Sequence, residues 1–256
     1  MLVAERHQRI IEVVNEKKSI RVSELAKLFS VTDETIRRDL EKLEKEQKLA
    51  RSHGGAVSIE STEDTPEISY QEREIMYVKE KKEIAKEAAK HIVESDKIIL
   101  DASTTAWYVA KNLPNIPITV LTNSVNVVVE LSKKHYITVI CTGGTLHPRS
   151  LSYVGPLTER AIDSYHVNKA FLSCKGLHFN HGISESNEQQ ARVKQKLMEI
   201  ADTTYILADH HKFHVQAFAH VGPLHKVERV ITDSEVSQQD ADTLHERDIE
   251  VIIANK

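Results

Sequence analysis

Two adjacent arginines, Arg37 and Arg38, lie inside the run Val31-Thr32-Asp33-Glu34-Thr35-Ile36-Arg37-Arg38-Asp39-Leu40. A guanidinium can fork onto the guanine edge in the major groove or clamp a phosphate, so this pair suits contact with duplex DNA. The sequence leaves open which of the two reads bases. Thr35 shares their outward face. Thr32 or Asp33 can cap the first turn, because a side-chain oxygen there accepts from an amide that has no helical partner. Ile36, Leu40 and Leu43 then recur at i, i+4 and i+7, which predicts one buried stripe behind the arginines. Downstream, Arg51 and His53 beside Gly54-Gly55 offer a second contact to a DNA backbone.

A second set of polar residues follows predicted strands. Asp101-Ala102-Ser103-Thr104-Thr105 opens a helix and supplies hydroxyls and free amides of the kind that hold phosphate. Thr122-Asn123-Ser124, Thr142-Gly143-Gly144-Thr145, Lys175-Gly176 and Asp209-His210-His211-Lys212 follow four further apolar runs. Any one of these alone is more often an ordinary cap or turn. Their joint occurrence at strand ends points to a rim that binds a small phosphorylated polyol.

The elements that must position these residues are legible. Residues 4–17 predict a first helix with Ile10, Ile11 and Val14 inward, and Ile20-Arg21-Val22 a short strand. Ser23 to Phe29 predicts a second helix, three residues before the arginine-bearing one, which is helix-turn-helix spacing. Leu49 to Ile59 reads as two strands around Gly-Gly, the hairpin of a winged helix. A solvated, salt-bridged helix would explain the arginines alone, but not the turn, the preceding helix and the wing together. Residues 1–60 hold 12 Lys+Arg and 11 Asp+Glu in a chain of net charge −4. DNA affinity must therefore come from a few placed cations and from paired half-sites rather than from bulk charge.

Residues 60–75 are acidic, lack apolar periodicity and read as a linker. Beyond them, apolar runs at 97–100, 118–121, 138–141, 170–174, 205–208, 229–232 and 249–253 alternate with amphipathic helices. That alternation predicts a mainly parallel sheet wound with helices on both faces. The expected organisation is a winged helix-turn-helix domain over 1–59, the linker, and a larger α/β domain over 76–256. At 256 residues and 40% hydrophobic the chain suits two globular domains. No apolar run approaches a membrane span and the first residues do not resemble a signal peptide, so a cytoplasmic protein is expected. Cys141 and Cys174, in apolar segments without metal-type spacing, read as buried free thiols.

Residues 1–59 resemble the DeoR family of bacterial transcriptional repressors in the string Thr35 to Leu40 and in His53 to Ala56. The remainder is similar to that family's sensor domain, a fold related to ribose 5-phosphate isomerase and glucosamine 6-phosphate deaminase. Its D-x-G-T-T loop matches Asp101 to Thr105, its T-N-S matches Thr122 to Ser124, its G-G matches Gly143-Gly144, its D-x-x-K matches Asp209 to Lys212, and its A-x-x-K matches Ala191 to Lys194. Ser103 replaces the usual glycine, and would be strained if that position required positive φ. The resemblance implies a repressor of a sugar-catabolism operon, assembled as a homodimer or homotetramer on a double-stranded operator. It also implies control by a phosphorylated sugar held by Asp101, Ser103, Thr104, Thr105, Asn123, Ser124, Gly143, Gly144, Lys175, Lys194, Asp209 and Lys212. A likeness of 101–108 and 171–176 to regulators of rhamnose use suggests a ketose phosphate of deoxyhexose catabolism.

Two other readings compete. An isomerase would need a carboxylate base, and Asp101, Asp209, Glu185 and Glu188 are available, though no spacing marks one of them. A metal site could draw on Asp209, His210, His211 and His214, with His178, His181 and His220 near in sequence. No second ligand group is fixed by spacing, so these histidines are expected to be exposed, with no metal and no cofactor.

Overall fold

A computed structural model of the chain describes residues 3–17, 19–46, 48–52, 54–57 and 68–255. The chain divides into two compact units, Met1–Val78 and Lys79–Lys256.

In the first unit, helix α1 (Val3–Lys17), strand β1 (Ser19–Arg21), helix α2 (Val22–Phe29) and helix α3 (Asp33–Lys45) precede strands β2 (Ala50–Ser52) and β3 (Gly55–Val57). The three strands form an antiparallel sheet in the order β1-β3-β2. One core joins them, built from Ile10, Val14, Leu25, Ile36, Leu40, Leu43 and Leu49. Val22, expected to end the first strand, instead opens α2 and is buried. Gly55 permits the tight sheet, because a Cβ there would fall 2.0 Å from the Ile20 carbonyl oxygen.

Within the segment expected to be linker, helix α4 (Tyr70–Ile75) forms. Ser69 Oγ accepts from the Glu72 amide at 3.3 Å while Glu72 accepts from the Ser69 amide at 2.9 Å, and Tyr70 is buried. This reciprocal capping box stabilises a helix too short to show apolar periodicity.

The boundary falls after the first residue of α5 (Val78–Lys90), and the second unit continues with β4 (Lys97–Leu100), α6 (Thr104–Asn112), β5 (Ile118–Thr122), α7 (Val125–Leu131) and β6 (Ile137–Cys141). A hairpin of β7 (Thr145–His147) and β8 (Ser152–Val154) leads to α8 (Pro156–Ile162) and β9 (Val167–Ser173). Then come β10 (Gly176–His178), β11 (Gly182–Glu185), α9 (Glu188–Glu199), β12 (Ala201–Leu207), β13 (Ala219–Gly222), β14 (Arg229–Thr232), α10 (Gln238–His245) and β15 (Glu250–Ile253).

All seven strands expected from apolar runs enter one sheet, in the order β15-β14-β12-β9-β4-β5-β6. Every pairing in it is parallel. From β4 the chain moves outward through β5 to β6, then returns to β9 and moves the other way through β12 and β14 to β15. Right-handed crossovers in opposite directions put helices on opposite faces, so the sheet is doubly wound and reverses between β4 and β9. The hairpin β7-β8 and the small antiparallel sheet β10-β11-β13 were not expected from the sequence. Their strands of three or four residues are too short to show alternation.

Candidate nucleic-acid interface and effector site

In the first unit, Thr32 caps α3, its Oγ1 accepting from the Thr35 amide at 3.2 Å and lying 2.9 Å from the Thr35 hydroxyl. Ile36, Leu40 and Leu43 are buried, which turns Arg37 and Arg38 outward, where both are exposed. Arg38 Nε lies 3.4 Å from Glu34 one turn earlier, whereas Arg37 has no ion-pair partner among the described residues. Thr35 is half-buried and its hydroxyl is shared with Thr32, so it is less free than its sequence position suggests. In the wing, Arg51 is half-buried, its amide donating to Glu44 Oε1 at 2.9 Å and its guanidinium 3.9 Å from the same carboxylate. His53 lies outside the described residues.

Asp39 was not singled out in the sequence, yet it is the buried acid of the recognition-type helix, 6% exposed. Arg6 on α1 forks onto it, with Nε to Oδ2 at 2.6 Å and Nη2 to Oδ1 at 3.2 Å, and His7 Nε2 sits 3.0 Å from Oδ1. Burial alone would raise the Asp39 pKa, but the hydrogen bonds from Arg6 and His7 outweigh it and hold the carboxyl below its ordinary range.

In the second unit, the predicted rim residues sit at the carboxyl ends of neighbouring strands. In spatial order these are Asp209 after β12, Lys175 after β9, Asp101 to Thr105 after β4, Asn123 and Ser124 after β5, and Gly143-Gly144 after β6, and the structure adds Asp233 after β14 and Ser173 at the end of β9. At about 4.8 Å per strand the six ends span roughly 24 Å, wider than a sugar phosphate, so these residues divide into groups.

The central group lies at the reversal point between β4 and β9. Asp101, 1% exposed, accepts from the Ser103 amide at 3.0 Å, the Ser173 amide at 2.9 Å and Lys194 Nζ at 2.7 Å. Lys194 also reaches Glu185 Oε1 at 2.7 Å and the Ser173 carbonyl, so all three of its ammonium donors are engaged within the protein. Burial would lower the Lys194 pKa, but the charges of Asp101 and Glu185 reverse that and push it up. Ser103 has φ −84° and ψ 157°, an extended conformation open to any residue, so the glycine-to-serine departure brings no strain. Its Oγ caps α6 by accepting from the Ala106 amide at 3.0 Å, with Thr104 and Thr105 buried in the first turn. Lys175 is half-buried beside this group.

To one side, Thr122, Asn123 and Ser124 are buried against the β7-β8 hairpin. Asn123 Nδ2 donates to the Tyr153 carbonyl at 3.0 Å, and Asn123 Oδ1 is buried with no hydrogen-bond partner among the described residues. Gln190, one helical turn before Lys194 on α9, ties down the same hairpin through Ser150 at 2.8 Å and Ser152 at 2.6 Å. Gly143 accepts from Thr158 Oγ1 at 2.7 Å, and Gly144 (φ 118°) must be glycine, because a Cβ would fall 2.1 Å from that same oxygen.

To the other side, Asp209 is buried and held well below its usual range. Burial opposes this, while the Lys212 charge and His211 overcome it. His210 Nδ1 lies 2.8 Å from Asp233 Oδ1, His211 Nδ1 lies 3.4 Å from Asp209 Oδ1, and the two imidazoles face each other at 3.8 Å. The expectation of exposed histidines therefore fails for His210 and His211, both half-buried, and holds for His214, which is exposed and 2.7 Å from Asp240. Among the described residues no cluster of three or more His, Cys, Asp or Glu side chains could hold a metal. Asp233, Ser173 and Gln190 were missed in the sequence, and Glu185 was considered there only as a candidate base. Asp233 was within reach of the strand-end rule, since it directly follows the run 229–232.

Comparisons with known proteins bear on both units. Residues 6–62 match the family described as the DeoR-like helix-turn-helix domain, and residues 77–234 match the DeoR C terminal sensor domain. The chain is 56% identical over 251 residues to an uncharacterized HTH-type transcriptional regulator, YulB, of Bacillus subtilis (strain 168), covering 98% of this chain and 96% of that one. It is 37% identical over 228 residues to an L-fucose operon activator of Haemophilus influenzae, covering 89% and 91%. Ribose 5-phosphate isomerase A of Methanocaldococcus jannaschii aligns with a TM-score of 0.39 at 16% identity, over 52% of this chain and 53% of the other.

Proposed function

The chain belongs to the DeoR family of transcriptional regulators, and from that premise we propose that it is a repressor of a sugar-catabolism operon whose hold on its operator is set by a phosphorylated sugar. It is a DNA-binding regulator and not an enzyme, as its sequence relatives are. Arg37 and Arg38, with Thr32 and Thr35 at the start of the helix, face the major groove, while Arg51 and His53 of the wing touch the backbone. Two copies or more place these modules on repeated half-sites.

The observation that carries the effector half is the position of Ser103, Thr104 and Thr105. They begin a nine-residue helix at the reversal point of a doubly wound sheet, where the first-turn amides and hydroxyls suit a phosphate. Lys175, Asn123 and Ser124 lie on the flanking strand ends, Lys212 on the next strand end beyond β9, and these would contact the phosphate and the sugar hydroxyls. Asp101, Asp209 and Lys194 serve this site as the charged frame behind it. The relative named for L-fucose, a 6-deoxyhexose, supports a deoxyketose phosphate as the ligand class.

A ligand acts as a switch only by binding the two states with different affinity. Couplings of about 1–3 kcal/mol would change operator affinity roughly 5- to 150-fold. The test pairs Arg37→Ala with Lys212→Ala. Arg37→Ala should abolish specific operator binding and keep the thermal shift given by 6-deoxyhexulose phosphates, whereas Lys212→Ala should do the reverse. Equal damage to both activities by both substitutions would refute the two-site reading. Because the Haemophilus relative is an activator, a reporter assay in a deletion strain decides the sign, and loss of expression on deletion would overturn repression.

A further inference from the structure

We infer that Asp39 is a positioning residue for sequence readout: through Arg6 and His7 it fixes the rotation of α3 about its own axis and so aims the arginines that read bases. The inference rests on the assignment of α3 as the recognition helix.

Arg37, Arg38 and Asp39 are consecutive, so at about 100° per residue they cannot share one face. The first two are exposed and the third is buried against α1. The apolar stripe of Ile36, Leu40 and Leu43 holds α3 on the core but tolerates small rotations, because dispersion contacts carry little directionality. The link to α1 is different in kind. A planar guanidinium donates through two nitrogens to the two oxygens of one carboxylate, at 2.6 Å and 3.2 Å, and an imidazole fixes the second oxygen at 3.0 Å. Fork geometry of this sort is satisfied over a narrow range of orientation.

The scale of the effect follows from helix dimensions. Side-chain tips about 6 Å from the axis move about 2 Å for a 20° rotation, enough to break a bidentate contact to a base edge. Phosphate contacts made by long, flexible cations follow such a shift without loss. The clamp therefore governs discrimination between sequences far more than attraction to DNA.

The test uses the full-length chain and two probes, a duplex that the wild-type protein enriches from a random-sequence pool and the unselected pool itself. Asp39→Asn, which keeps shape and removes charge, should weaken binding to the enriched duplex tenfold or more while leaving affinity for the pool within twofold. Arg6→Lys, which keeps charge and removes the fork, should give the same selective loss at smaller size, and serves if Asp39→Asn does not fold. The double variant Arg6→Lys/Asp39→Asn should be no worse than Asp39→Asn alone. A parallel fall on both probes, or enriched-duplex affinity within twofold of wild type, overturns the inference. Arg37→Ala and Arg38→Ala run alongside: if neither alters binding to the enriched duplex, it is the assignment of the recognition helix that has failed, whatever Asp39→Asn does.

Discussion

Cys141 and Cys174 have the same side chain in opposite surroundings. Cys174 is buried behind β9, and burial pushes its thiol up to about 12, so it stays protonated and shielded. Cys141 is exposed at the end of β6. The expectation of two buried thiols failed there because apolar neighbours mark a strand without saying that it lies at the sheet edge. A thiol reagent should label the native protein once and quickly, and a second time only on denaturation, with Cys141→Ser removing the fast phase. Two fast labels would contradict the burial of Cys174. Asp39 teaches the same lesson. An acid beside two arginines reads as one more surface charge, and only the fold brings Arg6 and His7 against it, 33 and 32 residues away.

Among elements, α9 organises the effector rim from a single stripe, Gln190 holding the hairpin and Lys194 holding Asp101 and Glu185. Removing a buried cation leaves two carboxylates without compensation, which typically costs about 3–5 kcal/mol. Lys194→Met should lower unfolding stability by about that amount in a denaturant titration of the full chain. A change below about 1 kcal/mol would show that the group is less buried than described. The seven sheet strands were legible as continuous apolar runs, as parallel strands under helices on both faces are, and the recognition-type helix from its i, i+4, i+7 stripe. The capping box at Ser69 and Glu72 was legible as well, yet it lay in a stretch whose composition suggested a linker. The paired histidines were not legible, since Asp233 reaches His210 from another strand end.

For the whole molecule, the His210 cluster ties stability to pH. Burial would depress the His210 pKa, but the hydrogen bond to Asp233, and then the charges of Asp209 and Glu80, raise it above its ordinary value. The groups facing it are those three carboxylates and the His211 ring. A raised value means that the charged form is favoured by folding. The stabilisation is complete below about 6.5 and is lost as pH climbs through the higher folded value. Thermal melting temperature should therefore fall from pH 6 to pH 8, and His210→Asn should flatten that slope. An unchanged slope in the variant would assign the effect elsewhere. Family and the parallel-sheet architecture followed from motifs and alternation. The sorting of rim residues into three groups needed strand order, which no local pattern encodes.

That strand order also has a bearing on biosynthesis. β4, the earliest strand of the large sheet to leave the ribosome, occupies an interior position, and β5 and β6 extend one flank before β9 opens the other. Each later strand meets a template already made, so assembly can proceed from centre to periphery in the direction of translation. Until β9 emerges, however, the flank of β4 that will pair with it offers an open ladder to any passing strand. A nascent chain stalled near residue 160 would be the species most in need of a chaperone.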